Sequence, residues 1–531
     1  MKKLFALLSL SIWSIQAATT YYISYTDGND ANNGLTPATA WQYHPYMRPS
    51  SGSSAAYAHV AGDGFIFKGG DTWLNPAFCM RITKGGSSSS YDYYGTTNTW
   101  FIGPSWSRAI FDFQWISTTN AGSTANQNGA GVMIDCSGGA VNNIQFGDGI
   151  IMKRHLGALS SSGNSFGRQT FVLYGGATTN IILTNTAILD WDLPPITVAG
   201  EDNGNGGGVT YKDLTALQGL TLINSEVSDL NATQSTGCGL HAYMNVISNR
   251  LHDIGALFLG NGVVASNFCY NIGKPMTDPQ AHENGFYNQG ISVFHHNYLS
   301  NFYAQGFYDE SGSMRNGSSL LWNTNNNDGI TLYYDNTVIM NEAAFNAALQ
   351  IDTENLSGGT SQGINRTGIR VYGNTFYKPF DPVIASTYRG GTLRLGYLEF
   401  IDNQFIDNQN ITNSINGIDP IISTNTIVYS HNVAQTLIQA TAQGFILSND
   451  LQPSSTNSVC FRTGVDLSFS PFNMVSDRLF ITRTTPPDIG SYQFVSTNIP
   501  PPPPPPPPPT SLGLTLLQNG VVLQNNVIIN Q

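Results

Sequence analysis

The sequence predicts an all-β solenoid, a chain wound into stacked coils of short strands. Three observations point there. Only 11% of the 531 residues are charged, against 40% hydrophobic, and an ordinary globular chain carries about 25% charge. Gly (55 residues) together with plentiful Asn, Ser and Thr makes up the difference, and these residues favour turns over helices because they compete for backbone hydrogen bonds. Second, short alternating apolar runs end repeatedly at an asparagine. Third, hairpin turns between neighbouring runs are sparse, which argues against a sandwich of antiparallel strands.

The chain begins with Met1–Lys3, a short basic stretch, followed by the apolar run Leu4–Ile15 and the small residue Ala17. This reads as a signal peptide over residues 1–17, too short to span a bilayer, so the protein is expected to be secreted. No later apolar stretch is long enough to cross a membrane. Net charge is −12 and no run of Lys or Arg occurs. Nucleic acid and anionic membrane surfaces both need clustered cations, so neither is an expected partner. Cys79, Cys136, Cys238, Cys269 and Cys460 are scattered and form no CxxC pair; a Cys238–Cys269 disulfide and buried free thiols both remain open.

Between about residues 180 and 432 the repeat is NIILTN (Asn185), GLTLIN (Asn224), NVISN (Asn249), VVASN (Asn267), SVFHHN (Asn297), TLYYDN (Asn336), IRVYGN (Asn374), EFIDN (Asn403) and VYSHN (Asn432). Successive asparagines lie 18 to 39 residues apart, and an apolar residue follows most of them (Ile188, Val227, Leu251, Leu299, Val338, Phe376, Phe405). A fixed strand–Asn–strand core with variable spacing fits coils whose extra length leaves as loops. Strands stacked about 4.8 Å apart would place these asparagines in one ladder, at a bend where Asn tolerates left-handed backbone angles.

The segments TYYISYTDGNDANNGLTPATAW (Thr20–Trp41), GDGFIFKGGDTW (Gly62–Trp73), WSRAIFD (Trp106–Asp112) and PPDIGSYQF (Pro486–Phe494) resemble recurrent segments of the pectate-lyase-like superfamily. The resemblance implies a single-stranded right-handed parallel β-helix over 18–497, with an N-terminal cap and a closing strand near Phe494. That superfamily includes lyases, hydrolases, epimerases, tailspikes and adhesins, so fold alone does not select a chemistry. Beyond it, Pro500–Pro509 is a polyproline spacer assigned to 498–509. Residues 510–531 alternate around Asn519-Gly520 as a hairpin-like tail, which suggests docking to a cell-surface or sorting partner.

Chemistry concentrates in Met276–Arg315. Asp278, His282, Glu283, Asp309 and Glu310 are the catalytic candidates, with Tyr287, Tyr303, Tyr308 and Arg315 as substrate-binding candidates. Paired carboxylates beside aromatic rings suit glycosidic-bond hydrolysis, one acid protonating the bridging oxygen while the other activates water or attacks. Asp278–Glu283 and Asp309–Glu310 lie about one coil apart, which would bring them together along the axis. AHENGFY resembles an AHxDGI stretch of secreted β-helix proteins, with Glu283-Asn284 departing from that pattern. His295 and His296 are expected on opposite strand faces. For a lyase, Lys274, His282 and Arg315 are the candidate bases and charge neutralisers. A second row (Asp190, Asp229, Asp253, Asn271, Asn301, Asn341) reads either as turn caps or as stacked acids neutralised by Ca²⁺, the one cofactor the sequence suggests. Two functions stand side by side: a secreted glycoside hydrolase, or less directly a polysaccharide lyase, acting on extracellular polysaccharide; and a non-catalytic adhesin or surface-displayed glycan binder.

Overall fold

The computed structural model describes residues 19–494 outside a set of connecting segments, of which the longest are 116–130, 156–169, 199–218, 229–237, 273–285, 353–363 and 408–422, and short strands within 515–529. Residues 1–17, the expected leader, and the proline run lie outside the described residues.

The chain is a parallel β-helix. Each coil visits three ladders in turn, here called leading, middle and return. The coil of Val263–Ala265 shows the pattern: that leading strand bends at Asn267 into the middle strand Phe268–Ile272, and the chain passes to the return strand Phe286–Asn288 before the next leading strand, Val293–His295. All three ladders pair in parallel from coil to coil, as in Val264↔Phe294, Cys269↔Leu299 and Tyr287↔Trp322. Leading and return ladders merge through the long strand Cys238–Ile247 into a 22-stranded sheet, and the middle ladder forms a 12-stranded one. Crossovers between parallel strands of one sheet are right-handed because right-twisted strands pack back onto the sheet only that way.

Inward positions stack into continuous apolar columns. In the leading ladder Leu183, Leu222, Val246, Val264, Phe294, Tyr333, Val371 and Phe400 share one register and are buried. The apolar residues expected after most of the asparagines form the matching column of the middle ladder, Ile188, Val227, Leu251, Leu299, Val338, Phe376 and Phe405, and Cys269 fills the level between Leu251 and Leu299. Cys269 is a buried free thiol, so the disulfide with Cys238 is not formed.

At the bend, Asn249, Asn267, Asn297, Asn336, Asn374 and Asn403 form one buried column that the half-buried Asn432 closes. The backbone N–H and the Nδ2 amide of each donate to Oδ1 of the next at 2.9–3.1 Å. Nδ2 also donates to a carbonyl of the preceding coil, for instance Asn297 to Val264 at 2.8 Å. Asn185 and Asn224 do not join the column. They occupy the left-handed position one residue earlier, with φ of 47° and 49°, and Thr186 and Ser225 take the column site instead, Ser225 N–H donating to Asn249 Oδ1 at 2.9 Å. Asn is favoured at both positions, by its tolerance of left-handed angles at one and by its self-complementary amide at the other.

That left-handed position is a column of its own, continuing through Ser248, Ser266, His296, Asp335, Gly373, Asp402 and His431. It explains a second correction. His296 leaves strand geometry at φ 56°, so the two histidines do not face opposite ways; both are buried, and their Nδ1 atoms lie 2.8 Å apart.

Coils end at the middle strand Val433–Gln435. The helix Leu437–Ala442, started by a Thr436/Gln439 capping box, then opens a strap that lies back over earlier coils, described over 443–468 and 474–494. The expected closing strand near Phe494 is instead irregular backbone within this strap. Ser491 bridges Thr337 and Thr375 (2.7 and 2.9 Å), Asp450 accepts from the Tyr298 hydroxyl (2.5 Å), and the Arg478 guanidinium lies 4.8 Å from the Tyr298 ring centroid. In the tail, strands Thr515–Leu517, Val521–Gln524 and Val527–Ile529 pair antiparallel, so the hairpin has a third strand.

Candidate functional site

Of the sequence-derived site residues, Asp278, His282, Glu283, Tyr303, Asp309 and Glu310 lie outside the described residues. The strands that flank them are in place. Segment 273–285 runs from Phe268–Ile272 to Phe286–Asn288, and 303–320 from Tyr298–Phe302 to Leu321–Asn323, each pair of flanking strands being adjacent in its ladder. Both segments therefore leave and rejoin the helix at the same corner of successive coils. Tyr287 stands in a return-ladder row with His241, Phe258 and Trp322, while Tyr308 and Arg315 lie on a small antiparallel pair, Phe307–Tyr308 with Met314–Arg315.

The middle ladder carries a cluster absent from the sequence reading. Glu226, Arg250, Phe268 and Tyr298 occupy one register row, and Ser228, His252, Tyr270 and Ser300 the next but one. His252 sits between two carboxylates, with Nε2 at 3.0 Å from Glu226 and Nδ1 at 2.6 Å from Asp253. Its ring stacks on Tyr270 (4.6 Å, 4° between planes), and Phe268, 46% exposed, stacks on Tyr298 (5.0 Å, 3°). The hydrogen bond from His252 holds the Glu226 carboxyl below its usual range, and Arg250 adds to this. A signal existed: these outward residues stand one and three places after each column asparagine, as in Phe268 and Tyr270 after Asn267.

Of the acidic row, Asp229 and Asn341 lie outside the described residues. Asp190, Asp253 and Asn271 are left-handed turn residues, and Asp253 uses Oδ1 to accept from Asn271 (2.8 Å) and Oδ2 to meet His252. Both oxygens are engaged by neighbouring side chains and not by backbone N–H groups, so Asp253 is neither a turn cap of the expected kind nor free to ligate Ca²⁺. Among the described residues no group of three or more His, Cys, Asp or Glu is arranged to hold a metal.

A cleft of about 180 Å³ opens where the strap crosses the left-handed column. Gly373 and Asp402 line it from the coils, and Asp466, Ser468, Thr482 and Arg483 from the strap. Gly373 has no side chain to fill its place in the column; a Cβ there would lie 2.9 Å from Asp335 Oδ1 and 3.3 Å from the Arg483 guanidinium. Arg483 occupies the space so left, pairing with Asp335 and donating to the Gly490 carbonyl (2.8 Å). Burial pushes both Asp335 and Asp402 up to about 7. Asp402 accepts the Val465 N–H on both oxygens (3.0 and 2.8 Å). Asp466, in solvent, is held low by its bonds to Ser468. Two carboxyl groups of opposite tendency thus border one cleft.

No protein-family profile and no curated protein matches the chain. Solved structures similar to it include pectate lyase Pel9A (15% identity over 91% of this chain and 98% of that one, TM-score 0.45). A GH136 lacto-N-biosidase from Eubacterium ramulus is also similar (12%, 79% and 68%, TM-score 0.44), as is XylC in complex with xylose (10%, 78% and 86%, TM-score 0.36). The fold rests on the strand ladders themselves.

Proposed function

We propose that the protein is exported through its leader and acts on extracellular polysaccharide as a glycoside hydrolase. The observation that carries this reading is the return-ladder row of His241, Phe258, Tyr287 and Trp322, set beside the corner from which 273–285 and 303–320 arise on adjacent coils. In that register, ring-bearing residue types recur at the strand spacing of about 4.8 Å along the axis, and rings are the groups that stack on sugar faces. Asp278, His282 and Glu283 belong in sequence to the first of these segments, and Asp309 and Glu310 to the second. Crowded carboxyls there would divide into one protonated acid and one ionised partner, the pairing that glycosidic hydrolysis needs.

The test is a panel of purified polysaccharides, read for new reducing ends and for unsaturated products. Reducing ends without unsaturation, lost in Glu283→Gln or Glu310→Gln, is the expected result. Unsaturated products would make the protein a lyase. Binding with no product would move it to the adhesin class. Unchanged turnover and binding in both variants would remove the corner from the account.

A further inference from the structure

We infer that the cleft between the strap and the left-handed column is a binding subsite for one neutral sugar ring, separate from the return-ladder corner. The inference rests on the glycan reading above. The volume, about 180 Å³, is below the range that accommodates drug-sized ligands and suits a single small ring. Its polar lining is mixed in a way that favours hydroxyl groups over ions. Arg483 is 6% exposed on its side chain, and its buried Nε has no hydrogen-bond partner among the described residues. Such a donor costs free energy unless something accepts from it. Asp402 and Asp466 present acceptors, and Ser468 and Thr482 offer groups that both donate and accept.

Asp466, whose carboxyl is held low and ionised, disfavours a uronate or other anion at the cleft. The buried guanidinium disfavours a cation. A neutral polyol ring satisfies both, since each hydroxyl donates to a carboxylate while accepting from a cationic nitrogen. Met474 and Val475 supply an apolar wall for the ring's C–H face. Because the coils contribute Gly373 and Asp402 and the strap contributes the rest, a bound ring would bridge the two and hold the strap down.

Thermal denaturation of the full chain, with and without D-galactose, D-xylose or D-glucose, tests this, with sodium galacturonate and sorbitol as comparators. A ligand that binds only the folded form raises the midpoint in proportion to its saturation. At least one neutral monosaccharide should raise Tm by a few degrees beyond sorbitol, and galacturonate should not. Asp466→Asn and Thr482→Val, neither of which touches the Arg483–Asp335 pair, should each weaken the titrated affinity about tenfold. Shifts matched by sorbitol, or identical in both variants, would overturn the subsite. Polysaccharide turnover is followed in the same preparations. Turnover without a monosaccharide shift refutes only the cleft, and a shift without turnover refutes only the hydrolase.

Discussion

Two columns run side by side at one bend of this helix, one residue apart in sequence and opposite in character. The asparagine column is uniform and answers to itself: each amide is satisfied by the coil before and the coil after. The left-handed column is heterogeneous and answers to the strap. Its members include His296 stacked on Phe480 (4.6 Å), Asp335 paired with Arg483, and Asp402 holding Val465. A self-complementary side chain can be repeated as often as there are coils. A site that must receive a foreign segment needs a different residue at each level. Repetition therefore marks what the solenoid does for itself, and variation marks where something else binds.

The contrast breaks most sharply at Arg483. Arg483→Met removes the cation from beside Asp335, whose side chain is fully buried. Loss of one partner of a buried pair typically costs about 3–5 kcal/mol. The strap should loosen while the coils persist, seen as protease cleavage within 436–494 at temperatures where the parent chain resists. Cleavage no faster than in the parent would show that the strap is held elsewhere.

Within the uniform column, Asn336→Ala should cost about 2–4 kcal/mol, because it strands the Asn297 donors and removes the bonds to Phe294 and Asn374. Ser266→Gly, at the left-handed position with φ 58°, should cost far less in the same denaturant titration, since glycine adopts that backbone freely. Equal losses would erase the distinction between the columns.

The subtlest difference is in pH. Burial raises Asp402 to about 7 from 3.8, so the folded chain holds a proton that the unfolded chain has released. Stability from this group is present at low pH and is lost as pH rises towards 7. Asp335, Asp477 and Asp488 are raised too, with Arg483 among them, whereas His295, lowered to about 4, and His296 pull the opposite way. Asp402→Asn isolates one group. Its Tm relative to the parent should rise between pH 5.5 and 8, a change on the order of 2 kcal/mol. A flat difference would mean that Asp402 does not titrate in this interval.

The same contrast explains what the sequence revealed. The repeat, the all-β class and the inward column from Ile188 to Phe405 were legible because they recur with a local pattern. Asn185 and Asn224 misled because one residue type serves both columns. The strap was illegible: Asp402 meets Val465 63 positions away, and Asp335 meets Arg483 148 positions away, and nothing local encodes such pairings. Glu226, His252 and Phe268 escaped for a related reason, because coil lengths vary and register across them is a property of the folded state. The acids between Asp278 and Glu310 are proposed from composition alone, as a knot of charge in a charge-poor chain, and lie outside the described residues.

The asparagine column also has a direction. Every link runs the same way, donors on the earlier coil and the acceptor on the later one, from Ser225 through Asn249 to Asn432. A chain emerging from its N-terminus thus always presents unmet donors at its newest edge, and the next coil quenches them. A chain halted midway would leave those donors to water, or to any other strand that could supply an acceptor oxygen.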